Sequence, residues 1–266
     1  MPACPWVLLQ QDARRGVEIP VGFSERNRWQ KQDEHHRTLA FYAWLMEDFL
    51  EARVLDLGSG PGTVSLPLAQ LQSVATVVCY DSDARALSVV EENARELQVT
   101  NVSTVIGATP HQLPFSEGSF DVVVCRAALH HFADRAGAVS EARRCLRPGG
   151  LLLLTETALP EHSRDTTHAL YVAREASFAG YLTYHELTRL VVTMGFQIGA
   201  MRPYDYQRGT LDDFLVDSDP AAKEMLAAAW CALDRKTLEE LKWSGKREGQ
   251  FITYPVIDIA GYRASS

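Results

Sequence analysis

The feature that most limits what this chain can fold into is an alternation of short apolar runs with helical patterns. The runs Arg53 to Leu57, Thr76 to Tyr80, Ser103 to Ile106, Asp121 to Cys125 and Gly150 to Thr155 read as strands, and the segments 62 to 72, 83 to 97 and 134 to 146 read as helices. A strand that is apolar on both faces needs cover on both faces, which crossover helices supply. The pattern therefore predicts a doubly wound α/β architecture around a parallel sheet. Ahead of it, Leu39, Tyr42, Ala43, Leu45, Met46 and Phe49 recur at three- and four-residue steps, predicting an amphipathic helix from about Asp33 to Leu50. Polar residues interrupt the alternation after Glu156. It resumes at Thr183-Tyr-His-Glu186, a capping box that opens a helix ending near Gly195. Two late strands, Phe196 to Met201 and Phe251 to Tyr262, flank a helical stretch from Pro220 to Trp243. Residues 1–32 show no clean period and are expected to form an irregular arm. Residues 33–266 then make one domain, with a lid and substrate-facing insertion at about 157–182 and 203–245.

Composition narrows the function classes. With 46% hydrophobic and 23% charged residues, the chain can bury a large core and lies far from the disordered class. Its apolar runs fall short of the roughly 18 residues that a membrane span needs. The first residues carry no basic region ahead of an apolar stretch, so a cytoplasmic location is expected. Five cysteines form neither a C-x-x-C pair nor a zinc pattern; they read as reduced, buried fillers, and no metal is expected. A net charge of -8 repels phosphate backbones, which favours a small-molecule substrate over nucleic acid.

The chemistry begins where the first strand, Val54-Leu55-Asp56-Leu57, runs into Gly58-Ser59-Gly60-Pro61-Gly62. Glycines at the carboxyl end of a strand let backbone approach a ligand closely, and the following helix start offers free N–H groups. The pattern departs from the dinucleotide form G-x-G-x-x-G, because Thr63 stands where the third glycine is wanted. Asp56 would also sit badly beside a pyrophosphate, yet it suits a ligand with an amino acid ammonium. The second strand ends Tyr80-Asp81-Ser82, where an acid can accept from both ribose hydroxyls. Adenosine joined to an amino acid head group describes S-adenosylmethionine.

The chain here resembles the class I S-adenosylmethionine-dependent methyltransferases, in particular the branch of ubiquinone and menaquinone C-methyltransferases. The likeness covers about residues 35 to 200. It rests on five ordered segments: the Asp56 to Gly62 loop, Asp81, Leu113-Pro-Phe115 before Ser119-Phe-Asp121, Leu129-His-His-Phe132, and Leu146-Arg-Pro-Gly-Gly150. It implies a Rossmann-like, mostly parallel seven-stranded sheet with an N-terminal arm and a lid inserted after the fifth strand. It also implies S-adenosyl-L-methionine as cofactor and methyl transfer to a small-molecule acceptor. The cofactor residues would be Asp56, Gly58, Ser59, Gly60, Gly62, Asp81 and Ser82. After the third strand the family commonly sets an acid against adenine. This chain reads Ala108-Thr109-Pro110-His111, so the Thr109 hydroxyl and the His111 amide are expected to serve beside Pro110, which has no N–H.

The fourth strand delivers Arg126-Ala-Ala-Leu-His130-His131 to the same edge. In related phosphobase methyltransferases the second histidine of this segment belongs to the catalytic machinery, but the acid several residues before it is Ala127 here. His131 is expected to act as base or substrate orienter, with His130 as the second candidate. The competing expectation is that one of the two packs beneath the loop and bonds backbone. Arg126 faces the methionine carboxylate or an acidic substrate, or else is a solvated strand-end charge. Leu146 to Gly150 is expected to be a helix stop and turn. Phe23, Trp29, Trp44, Tyr171, Phe178, Tyr181, Tyr184, Tyr204 and Tyr206 are candidates for an aromatic lid or, singly, for core. Two other functions stay open: a protein or cyclase that binds the donor without transferring methyl, and, from the glycine loop alone, a nicotinamide-dependent oxidoreductase.

Overall fold

A computed structural model describes residues 33–215, 218, 220–243 and 251–265. The expected arm, with Phe23 and Trp29, lies outside them. The order is α1 (Asp33–Leu45), β1 (Ala52–Leu57), α2 (Ser65–Ala69), β2 (Val74–Asp81), α3 (Ala84–Glu96), β3 (Val102–Ile106), β4 (Phe120–Arg126), a 3-10 turn (Leu129–His131), α4 (Arg135–Cys145), β5 (Leu146–Thr157), α5 (Glu161–Arg174), α6 (Tyr184–Thr193), β6 (Phe196–Thr210), α7 (Leu211–Phe214), α8 (Pro220–Cys231), α9 (Arg235–Glu240) and β7 (Phe251–Arg263). The seven strands form one sheet in the order β3-β2-β1-β4-β5-β7-β6. β1 to β5 run parallel, and β7 runs antiparallel to both β5 and β6.

The apolar runs build this sheet because their two side-chain sets feed two cores. Leu55, Leu57, Val123, Cys125, Leu152 and Leu154 enter the core on one face, which α4 and α6 cover. Val54, Val122, Val124, Leu151 and Leu153 enter the other, with Leu39 and Tyr42 of α1 and Met46 just after it. A period of two along each strand accounts for the division. Helix starts are satisfied locally: Asp83 accepts from the Arg85 amide, Asp134 from the Gly137 amide, and Thr183 and Glu186 form both halves of the capping box.

Several boundaries differ from expectation. The first crossover helix is only Ser65–Ala69, preceded by turns, because the glycine loop extends further and Val64 offers no side-chain cap. Leu146 to Gly150 is not a turn: α4 ends at Cys145 and these residues already belong to β5. Their pairing slips between Phe120↔Leu146 and Val122↔Leu151, so the Pro-Gly-Gly segment is a bulge within the strand. The stretch 220–243 is two helices, since Asp234 breaks it and caps α9 by accepting from the Thr237 amide. Residues 203–210, expected in the lid, continue β6 and pair with β7. The remaining insertion forms a third core, in which Tyr171, Phe178, Tyr181, Tyr206, Phe214, Trp230, Trp243 and Tyr254 are buried together above one end of the sheet. Tyr184 and Trp44 are exposed.

Candidate active site

Strand order reverses between β1 and β4: from β1 the chain builds outward to β2 and β3, and from β4 it builds the other way. The crevice at the carboxyl ends of these two strands is where doubly wound sheets bind ligands. Gly58, Gly60 and Gly62 all have positive φ, at 74°, 53° and 81°, but their surroundings differ. A Cβ on Gly58 would lie 2.5 Å from the Ala128 Cβ, so this glycine lets the loop pass under the segment after β4. At Gly60 a Cβ would meet nothing within 4 Å, so the loop presents bare backbone to open space. The loop is pinned to β2, whose Tyr80 carbonyl accepts from the Gly58 and Ser59 amides at 2.8 and 3.2 Å. The Asp81 carboxylate accepts from the Gly60 amide at 2.7 Å through Oδ2 and from the Asp83 amide at 2.9 Å through Oδ1. Both oxygens keep a lone pair for a ligand. Ser82, next to Asp81, is exposed.

Beneath the loop, Asp56 is buried and accepts a hydrogen bond from Ser65 Oγ. Burial pushes its carboxyl up to about 6, and the nearby Asp81 adds to the shift. Across the crevice Arg126 ends β4. Its Nε is buried with no hydrogen-bond partner, and among the described residues nothing ion-pairs with it. Its charge is felt at Asp56, His35, Tyr42, Tyr204 and Asp258, so it sits among them. Arg126 is half-buried, with its Nε turned away from solvent.

α1 closes this side. His35 is 2% exposed, and burial, reinforced by Arg126 and His36, pushes its imidazole down to about 3. Tyr42 bonds Thr155, which donates to Asp258, and Asp258 holds Arg202, whose Nη2 donates to Thr38 at 3.1 Å. This chain of partners ties α1 to β5, β6 and β7. Helical periodicity had marked Tyr42 only as an apolar position, and Thr38, Thr155, Arg202 and Asp258 carried no local signal.

The two histidines are held differently. His130 donates from Nδ1 to Glu156 Oε1 at 2.8 Å, and its amide donates to Oε2 at 3.1 Å. Glu156 ends β5, is 2% exposed, and also accepts from the Thr157 amide. Burial opposes its ionisation, yet the His130 imidazole and these hydrogen bonds outweigh that and hold its carboxyl below the usual range. Glu156 was missed from sequence; the signal was an acid closing the apolar run Leu151 to Leu154. His131 faces the segment after α5 instead. Its Nδ1 lies 3.2 Å from Ser177 Oγ and its Nε2 3.6 Å from Glu175 Oε1, and burial together with His130 lowers its pKa. The backbone of that segment is bonded here too, since Ala179 and Gly180 amides donate to the His130 carbonyl and Arg135 donates to the Gly180 carbonyl.

The turn after β3 stands at the same sheet edge. Thr109, Pro110 and His111 lie on its surface; the Thr109 hydroxyl closes its own turn on the Gln112 carbonyl at 3.4 Å, and the Thr109 amide donates to Tyr80 Oη at 3.3 Å. Gly107 permits that approach, since a Cβ there would come within 2.3 Å of the Tyr80 hydroxyl.

Residues 55–154, from β1 through most of β5, match the family model described as a methyltransferase domain. This matched stretch holds every expected cofactor and catalytic residue from Asp56 to His131, together with the crevice between β1 and β4. YcgJ of Bacillus subtilis (strain 168), an uncharacterized methyltransferase, is 38% identical over 111 residues, which cover 42% of this chain and 43% of YcgJ. UbiE of Blochmanniella pennsylvanica (strain BPEN), a ubiquinone/menaquinone biosynthesis C-methyltransferase, is 29% identical over 138 residues, covering 52% and 54%. The chain spans about half the length of the curated relatives it matches. In three dimensions the crystal structure of YcgJ superposes with a TM-score of 0.75 at 24% identity, over 87% of this chain and 100% of that one. The parallel strands with the antiparallel β7 therefore share one fold with YcgJ.

Proposed function

We propose that this protein is an S-adenosylmethionine-dependent methyltransferase acting on a small-molecule acceptor. The observation that carries the reading is the pairing of Gly60, bare and open, with Asp81, ordered but not saturated, at the reversal of the sheet. The pocket fits the donor on its own chemistry. Asp81 suits ribose hydroxyls, the buried Asp56 suits an ammonium, and the orphaned Nε of Arg126 calls for a carboxylate. Ser59 and Gly60 would line the methionine, Gly58 and Gly62 shape the loop, and Ser82, Thr109, Pro110 and His111 flank the adenine side. When bound, the donor supplies a methyl group already activated on a sulfonium. The protein's own task is then alignment, exclusion of water and, for some acceptors, removal of a proton. His130 and His131 stand at the same edge for that role, beneath a lid whose backbone is bonded to the His130 carbonyl.

Net charge and an aromatic insertion support a small-molecule acceptor over nucleic acid, and a cytoplasmic location belongs to this reading. Among the described residues no helix is long and apolar enough to cross a membrane. Calorimetric titration with S-adenosylmethionine and with its demethylated product tests the donor site; both are expected to bind, and folded protein that binds neither overturns the proposal. Release of the demethylated product during turnover is expected. Binding without any such release across an acceptor panel would point to a donor-binding protein or cyclase, and tight nicotinamide nucleotide binding to an oxidoreductase.

A further inference from the structure

The two histidines differ in which nitrogen is left to do chemistry. Glu156 is ionised and can only accept, so the His130 Nδ1 that contacts it at 2.8 Å must carry the proton. The second Glu156 oxygen takes the His130 amide, which fixes backbone and ring to the same carboxylate. The neutral imidazole then has its lone pair on Nε2, and no described residue hydrogen-bonds that atom. The side chain is 11% exposed, so the ring edge still reaches open space. At His131 both ring nitrogens face lid groups, Ser177 and Glu175, and neither is free while the lid is latched.

We infer that His130, with its tautomer set by Glu156, takes the proton from the acceptor, and that the acceptor is a hydroxyl compound methylated on oxygen. This rests on the methyl-transfer reading above. A neutral amine or a thiolate is already a competent nucleophile, whereas an alcohol or phenol needs a base as its new bond forms. The O–H bond breaks with its electron pair left on oxygen, and the proton goes to His130 Nε2. The oxygen bonds the methyl carbon while the methyl–sulfur pair returns to sulfur, giving an ether and a neutral thioether. The imidazolium afterwards yields its proton to water. Glu156 touches no reacting atom; it is a positioning residue that also favours the transient imidazolium. Tyr181 and Phe178, with ring centroids 5.0 and 5.9 Å from that of His130, pack against its ring from the third core. The other titratable groups around the pair are His131, Glu175 and Tyr181 on the lid side, Arg135 on α4 and Cys125 on β4. None of these removes the charge of Glu156.

The first test needs no variant and no donor: long-range nitrogen–proton NMR of the wild-type protein should show His130 as the Nδ1–H tautomer. The Nε2–H tautomer there overturns the inference. In turnover, with isotope-labelled donor offered to separate panels of phenols, alcohols and primary amines, label should appear in ethers. Label in amines alone overturns it. His130→Ala should lower turnover about 100-fold or more. Glu156→Gln should lower it about 10-fold to 100-fold and shift the tautomer. Donor affinity by calorimetry should hold within about 2-fold in both. Turnover by His130→Ala near the wild-type rate, with donor affinity intact, overturns the role of His130 and leaves methyl transfer standing. Loss of donor binding by the wild-type protein removes the parent reading, and the acceptor assignment falls with it.

Discussion

Replacing Asp56 by Asn should make the ligand-free protein more stable at neutral pH while weakening its hold on an ammonium-bearing ligand. Burial raises the Asp56 carboxyl from an ordinary 3.8 to about 6, so the folded state favours the proton. The stabilisation from that proton is complete below the unfolded value and is lost as pH rises through about 6. Carried through the linkage relation, ionised Asp56 costs the fold about 3 kcal/mol near neutral pH and about 1 kcal/mol near pH 4.5. Asn does not titrate. Ser65 can still donate to its amide oxygen, and any cost of an unpaired NH2, about 1–3 kcal/mol, does not vary with pH. The stability of Asp56→Asn relative to wild type should therefore rise by about 2 kcal/mol between about pH 4.5 and about pH 7.5, whatever its absolute value. Urea denaturation of both proteins across that range, read as a difference, measures it. A flat difference, or one that falls with pH, refutes the reasoning. In wild type, donor affinity should weaken as pH drops through about 6, because the proton then competes with the ligand's ammonium.

The glycine loop gives a paired expectation: Gly58→Ala should cost more than about 2 kcal/mol in thermal or urea unfolding, because strain at positive φ adds to a clash with Ala128. Gly60→Ala should cost only about 1–2 kcal/mol yet abolish donor binding by calorimetry, since its Cβ points into ligand space. Asp81→Ala should raise the donor Kd at least about 10-fold while kcat at saturating donor changes little, which steady-state kinetics with varied donor will read. Asp258→Ala should destabilise the fold by about 3–5 kcal/mol, since it strands the half-buried Arg202 and breaks the chain through Thr155 to Tyr42; denaturant midpoints will report it.

What could be read from the residues, and what could not, divides by range of interaction. The β1 loop, Asp81 and the alternation of strands and crossovers are local in sequence, and each has a backbone reason visible in a few residues. Gly58 needs positive φ, Asp83 and Asp134 cap the next turn, and apolar pairs alternate between two cores. The fold and the shape of the glycine loop were therefore legible. The helix 62–72 shrank because a ligand loop uses residues that a propensity argument assigns to helix. β5 began early because pairing across the sheet outweighs the turn preference of Pro-Gly-Gly.

The histidine side of the crevice is built from partners far apart in the chain, and that is why they were not legible. The resemblance looks for an acid near Ala127, just ahead of the histidines. The structure supplies Glu156 from the neighbouring strand, 26 residues on, and gives it to His130. A parallel sheet makes this natural. Cys125 on β4 lies level with Leu154 on β5, and Arg126 with Thr155, so the last residues of both strands emerge at one edge. An acid that closes a buried apolar strand must find donors at that edge or remain unionised. His130 offers two donors, ring and backbone, to the same carboxylate. The same requirement explains Asp258, placed inside the apolar strand β7 and bonded there by Arg202 and Thr155. For a doubly wound chain, then, charged residues inside or closing apolar strands deserve to be paired first with the strand-end groups of adjacent β-strands, before partners nearby in sequence are sought.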